Sequence, residues 1–272
     1  MLVFVHIEKS AGTSLIHILR RNYFLKYCDV RPLKAGSNGV FTMDDFNKYI
    51  KINPGMECLS GHSVKPYGDI MTIPDLQLIT LLRDPVKRYI SQYQHWIEKK
   101  TINLPFDDFL KIESVSNFQT KKIAGTDDID LAKHKLDDFF LVGTLENFDE
   151  FLLFLRNKLV DVNLDPAYHR LNQAKKAGMA EEIMHRFLPQ IEERNQNDII
   201  LYNYVQDKIR EKNRLEYGAS IDDDVARFRS SNKVSIKGKL KSNLDFLYRK
   251  LYLEPVTNRL RKKGGMQKHG SY

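Results

Sequence analysis

Six residues at the start of the chain, Leu2-Val3-Phe4-Val5-His6-Ile7, form an almost unbroken apolar run. Apolar side chains at both odd and even positions leave neither face of a strand for water. That is the pattern of a strand covered on both sides in a parallel sheet. A turn of small residues follows, Ser10-Ala11-Gly12, and then Ser14 to Phe24 places Leu15, Ile18 and Leu19 on one side of a helix. A strand passing through a short turn into a helix is the opening unit of an α/β sheet.

The rest of the chain repeats this alternation. Asp44 to Ile50 reads as a short helix, Met56 to Ser60 as a short strand, and Leu76 to Leu82 as a second buried strand ended by Arg83-Asp84-Pro85. Val86 to Lys99 makes an aromatic-rich helix, and short helices are expected at 107–110 and 115–123. The stretch from Asp138 to Leu159 reads as strand, turn and helix, and Met179 to Lys212 as helical. The expected fold is α/β: a P-loop-like parallel sheet flanked by helices on both faces.

Composition narrows the setting. The chain has 272 residues and a net charge of +8, but residues 230–272 hold 11 Lys/Arg against 2 Asp/Glu. The basicity therefore belongs to the tail, and the body carries a net charge of −1. The expected division is a main α/β domain over 1–215 and a basic, amphipathic helical extension over 216–272. In that extension Leu240, Leu244, Leu247 and Leu251 recur at helical spacing between lysines. No apolar run is long enough to span a membrane and no leader pattern precedes Leu2, so a cytoplasmic location is expected. Cys28 and Cys58 have no metal or redox spacing and are expected to be free thiols.

The first turn suits an anion. The N–H groups at a strand–turn–helix junction point outward unpaired, and the helix dipole adds positive potential there. Ala11 and Gly12 let an anion approach the main chain, Lys9 adds a mobile cation, and Ser10, Thr13 and Ser14 add hydroxyl donors. The order of residues is not that of a Walker A loop, in which the lysine follows the glycine.

A second anion site is expected at the next strand end. Arg83 stands where ligands gather in open α/β sheets, and Ser91 lies two helical turns further on, on a face that can turn back. Two such sites on neighbouring strand ends describe a ligand with phosphate at both ends of a nucleoside.

At these residues the chain resembles the sulfotransferases that use 3′-phosphoadenosine 5′-phosphosulfate (PAPS). HIEKSAGTSL is similar to their 5′-phosphosulfate loop and LLRDPVKRYISQY to their 3′-phosphate motif. The carbohydrate branch, which includes the heparan sulfate 2-O- and 6-O-sulfotransferases, is most alike. Further matches are Ser60-Gly61-His62, NFQTKKIAG from Asn117, FFLVGTLENFDEFL from Phe139 and NDIILYNYV from Asn197, so the likeness runs over residues 2–215 in family order. The family more often has Pro, Thr and Gly where this chain has Glu8, Ser10 and Ala11, and the Glu8 side chain is expected to point away from the anion.

The resemblance implies in-line transfer of a sulfuryl group from PAPS to a hydroxyl of a glycan, glycolipid or small acceptor, without a metal. Lys9 and the amides of Ser10 to Ser14 would meet the charge that grows on the leaving oxygen. Arg83 and Ser91 would hold the 3′-phosphate. His62 corresponds to the family's general base, and Gln119 and Thr120 to residues near nucleotide and acceptor. His95, beside Tyr93 and Trp96, is the next candidate base. His6 and the aromatic set Tyr89, Tyr93 and Trp96 read as packing, although the aromatics could also stack on sugar rings. Two other readings remain open: a nucleotide or small-molecule kinase, which lacks an evident Walker pair here, and a non-catalytic nucleotide- or glycan-binding protein. No nucleic-acid partner is expected, since the tail has no recognised motif. Contact between the tail and a membrane or an acidic glycan is the sharper alternative to simple docking on the protein's own surface.

Overall fold

The computed structural model describes residues 1–99, 101–168 and 177–266. It opens with β1 (Leu2–Val5), α1 (Gly12–Tyr23), β2 (Tyr27–Asp29), α2 (Met43–Ile52), β3 (Cys58–Gly61) and β4 (Gln77–Leu82). Next come α3 (Pro85–Glu98), α4 (Phe106–Phe109), α5 (Phe118–Ala124), α6 (Ile129–Asp137), β5 (Leu141–Thr144) and α7 (Phe148–Lys158). The remainder is helical: α8 (Ala177–Arg194), α9 (Gln196–Tyr204), α10 (Arg210–Tyr217), α11 (Ile221–Ser231), α12 (Ile236–Tyr248) and α13 (Glu254–Lys263). Single wide turns, Val205–Ile209 and Arg249–Leu253, join α9 to α10 and α12 to α13.

The five strands form one parallel sheet in the order β2-β3-β1-β4-β5. The fold is the expected α/β sheet flanked by helices. The apolar run at the start of the chain becomes its central strand for the reason read from the sequence. Val3, Val5 and Ile7 enter one core with Phe46, Tyr49 and Ile123, while Leu2 and Phe4 enter the other with Leu15, Ile18 and Leu19. Burying each such side chain contributes roughly 1.5–3 kcal/mol, so both faces hold β1 in place. Cys28 and Cys58 are free and belong to opposite cores.

β2 was not expected from the sequence. Its three residues end in Asp29, whose carboxylate pairs with Arg20, and so short an edge strand carries no apolar pattern. α6 was missed as well.

The order of the strands locates the site. From β1 the chain leaves toward β2 and β3, then crosses back over β1 to β4 and β5. The crevice at the carboxyl ends of β1 and β4 is the place where such a sheet receives ligands. Tail helix α12 packs on α1, and α11 places Ile221, Val225 and Phe228 in the second core. None of the described helices is long and apolar enough to cross a membrane.

Candidate active site

The loop after β1 is built around one unusual contact. Lys9 and Ala11 both adopt positive φ (69° and 58°), which folds the backbone tightly before α1 begins at Gly12. A β-carbon on Gly12 would lie 1.6 Å from Nε2 of His6, so the His6 ring occupies the space that any larger residue would need. Glycine is required there by close approach. No side chain caps α1, and the N–H groups of Ser14 and Leu15 both turn to the Ala11 carbonyl. The N–H groups of Gly12 and Thr13 are left at the mouth of the loop, which suits an anion. Ser10 is buried, and its hydroxyl has no partner among the described residues.

The Lys9 ammonium makes no ion pair among the described residues. Burial lowers its pKa, and the Arg83 guanidinium beside it lowers it further. Arg83 reaches the loop directly, its Nη1 donating to the Lys9 carbonyl at 3.0 Å. The two anion motifs read separately from the sequence are thus one structure, with two cations in one crevice.

α3 starts as its sequence prescribes, with Pro85 in the first turn and the Asp84 carboxylate accepting the Lys87 N–H at 2.9 Å. Ser91, His95 and Glu98 form one stripe along this helix. Ser91 and His95 are half-buried and Glu98 is exposed. The charges of Lys9 and of this helix act on each other, Lys9 lowering the His95 pKa after burial and Glu98 raising that of Lys9, which puts His95 and Glu98 near the loop. Tyr89, Tyr93 and Trp96 point the other way and pack their rings against Phe106 and Phe109. They form a core with Phe187 and Ile191 of α8.

His62 stands just past the end of β3. Its Nδ1 lies 3.2 Å from the His6 carbonyl and 3.4 Å from a Glu8 carboxylate oxygen, and its ring rests on the His6 ring at 4.0 Å between centroids. The side chain is still 44% exposed, and Nε2 has no hydrogen bond among the described residues. Burial lowers its pKa, Glu8 raises it and Lys122 lowers it, with a net fall below the ordinary value for histidine. The ring is therefore neutral at pH 7. His6 beneath it is driven lower still, first by burial and then by His62 and Lys122.

Glu8 pairs away from the loop, as expected, and joins the site from behind. Its two oxygens lie 3.3 and 3.2 Å from Nζ of Lys122, a lysine only 1% exposed that also bonds the His62 carbonyl. Lys65, next to this pair, has its pKa lowered to about 8 by burial and by the Lys122 charge. Sequence reasoning missed both lysines, because their partners lie far away along the chain.

Gln119 and Thr120 are fully buried, and their side chains bond to the protein itself. The Gln119 amide clamps the Arg83 backbone, accepting its N–H and donating to its carbonyl at 2.9 Å each. Thr120 gives its N–H and hydroxyl to Asp198, which also accepts the Gln119 N–H. In return, Asn117 ahead of α5 accepts the N–H groups of Asn197 and Asp198 at the start of α9. Two helix starts thus cap each other, and the clamp on Arg83 is built on them. Arg88 lies nearby, wholly buried, with one nitrogen on the Val115 carbonyl and its plane 4.7 Å from the Phe118 ring. Among the described residues, no three His, Cys, Asp or Glu side chains converge as metal ligands would.

The sulfotransferase family model matches residues 1–214, a span that contains every element of this crevice. The chain belongs to the sulfotransferase family. Members of this family generally take PAPS as donor. The crystal structure of a sulfotransferase from Alicyclobacillus acidocaldarius is similar at 16% identity, over 73% of this chain and 94% of that one, with a TM-score of 0.40. Among curated proteins there is no match. In this sulfotransferase-family chain the 58 residues after the matched span include α11 to α13 and the basic tail.

Proposed function

We propose that the protein is a PAPS-dependent O-sulfotransferase acting on a hydroxyl of a carbohydrate-type acceptor, with His62 as general base. One observation carries this reading. Among the described residues His62 has one ring nitrogen tethered to the His6 carbonyl and Glu8 and the other free, beside an uncapped helix start preceded by an unpaired lysine.

The crevice fits the donor's chemistry. Gly12 and Ala11 leave room at the main chain, the helix start supplies N–H groups, and Lys9 and Arg83 supply two cations for a doubly phosphorylated nucleotide. Bound PAPS supplies an activated sulfuryl group whose leaving oxygen gains negative charge during transfer. Lys9 stabilises that charge, and because its ammonium is not spent on a carboxylate it is available to do so. Arg83 holds a phosphate that does not react, so its contribution is to binding.

His62 removes the acceptor proton. Its Nδ1–H is directed at the His6 carbonyl and Glu8, which leaves Nε2 as the accepting atom and fixes the ring plane. The lowered pKa keeps that nitrogen unprotonated at neutral pH. Lys122 balances the Glu8 charge, so the base is oriented without a net negative charge beneath the anion loop.

Incubating the protein with PAPS and a panel of glycans, glycolipids and small hydroxylated compounds, read by mass spectrometry, tests the reading. A mass gain of one sulfuryl group on a carbohydrate is the expected product. Nucleotide binding without turnover on any acceptor would favour a binding protein, and phosphorylation from ATP would favour a kinase.

A further inference from the structure

The tail helices are amphipathic in a way that their docking does not use up. Along α12 and the following wide turn, Gly238, Asp245 and Leu253 are buried. Arg249 bonds Asp245 at 2.9 Å and stands 4.0 Å from Asp29, and the Tyr252 hydroxyl donates to the Ile52 carbonyl at 3.1 Å. A β-carbon at Gly238 would come to 3.0 Å from the Arg21 side chain, so this face lies close on α1. These contacts already hold the helix.

On the opposite side Ile236, Leu240, Leu244, Leu247 and Leu251 form a single stripe at spacings of 4, 4, 3 and 4. All five are exposed, from 45% at Leu244 to 88% at Ile236. Scattered exposed leucines need no explanation, but an ordered stripe of five does. Lys237, Lys239 and Lys250 stand exposed along its margins, with Lys241 half-buried. The acidic residues nearby are spent, Asp245 on Arg249 and Glu254 on Arg249 and Lys250.

We propose that this face of α12 lies on a membrane surface rich in anionic lipid, the leucines entering the boundary between headgroups and acyl chains and the lysines meeting the headgroups. The pairing of apolar stripe and cationic margin decides the occupant. A polyanionic glycan would satisfy the lysines and leave the leucines in water. A second copy would bury the leucines, but Lys241 and Lys250 flank the seam and find no free carboxylate on the facing helix. An anionic bilayer accepts both groups at once. The inference does not depend on the reaction proposed above.

Co-sedimentation of the full chain with phosphatidylcholine vesicles, with and without phosphatidylserine, tests it. The protein is expected to bind the phosphatidylserine vesicles, weakly or not at all the neutral ones, and to be released by salt. Leu240→Asp with Leu247→Asp should lower that binding at least tenfold, and Lys237→Gln with Lys239→Gln and Lys250→Gln should abolish the preference for phosphatidylserine. Both variants alter exposed positions and should keep the wild-type melting temperature and PAPS affinity, which checks that they fold. Vesicle binding unchanged in the leucine variant overturns the proposal. So does retention on heparin with no vesicle binding, which assigns the face to an acidic glycan. A concentration-dependent dimer lost in the leucine variant, again without vesicle binding, assigns it to a second copy.

Discussion

The two sides of the Arg83 strand end are built on opposite rules. On the α5/α9 side the groups that hold the Arg83 backbone are spent: Asp198 accepts three donors, Asn117 two, and the Gln119 amide both donates to and accepts from Arg83. On the loop side key groups stay open among the described residues, with Lys9 unpaired, α1 uncapped and His62 tethered by one nitrogen only. A buried polar group without a partner costs stability, so saturation is the stable arrangement and openness is the costly one. The cost is met where a ligand would supply the missing partner. On the reading proposed above, the closed side is scaffold and the open side is machinery, although both are polar and both line the same strand end.

The largest effect is expected at His62. His62→Ala should lower turnover by roughly 10²- to 10⁴-fold, the usual contribution of a positioned base, and leave nucleotide affinity nearly unchanged in a binding titration. Near-normal turnover would move the base to His95, the other imidazole facing the loop. A loss of affinity along with the rate would make His62 part of the scaffold.

Lys9→Ala and Arg83→Ala divide the machinery further. Without Lys9, turnover at saturating PAPS should fall about 10²- to 10³-fold, as for loss of a single donor to developing charge. Arg83→Ala should act mainly on the affinity for PAPS and for the product 3′,5′-diphosphate, measured by calorimetry. If Lys9→Ala changes only the Michaelis constant, its role as a leaving-group stabiliser fails.

On the closed side, Asp198→Asn turns an acceptor into a donor opposite buried N–H groups. A loss of about 1–3 kcal/mol in unfolding free energy is expected for the bond left unmade, read by urea denaturation. PAPS affinity should fall through the displaced Arg83, while turnover at saturation should change far less. A variant with full stability would show that the mutual cap of α5 and α9 is dispensable.

The smallest effect is also the sharpest. Glu8 raises the His62 pKa and offsets Lys122, which lowers it. Glu8→Gln removes the raising charge and leaves Lys122 uncompensated, so the His62 pKa must fall. Since only the neutral ring accepts a proton, the acid limb of the pH–rate profile should move to lower pH, with a modest drop in turnover at neutral pH. A limb that moves upward, or stays where it is, would separate Glu8 from the base.

The sequence made the open side far more legible than the closed one. Strands buried on both faces advertise themselves as continuous apolar runs, and β1 and β4 carry the loop and Arg83 at their ends. The loop's small residues and lysine are adjacent in sequence, so their chemistry could be read directly. Gln119, Thr120 and Asp198 act across long stretches of chain, and no local pattern marks an amide as the clamp of a distant backbone. The sequence leaves Glu8 without a visible purpose beside the loop because its counter-ion Lys122 is 114 residues away. β2 escaped notice because three residues ending in aspartate do not make a periodicity.

The placement of β1 at the centre of the sheet has a further consequence, in the order of events during folding. The His62 tether to His6 closes a span of 56 residues, the Arg83 bond to Lys9 one of 74, and the Asp198 cap on Thr120 one of 78. Contacts so far apart in sequence pay their loop entropy before they return anything, and they form late. The loop after β1 is made before its partners, and it has no donor for its lysine carbonyl until β4 arrives and no clamp on β4 until α9 does. The strand end that carries Arg83 is therefore complete only when synthesis and folding have reached at least residue 198.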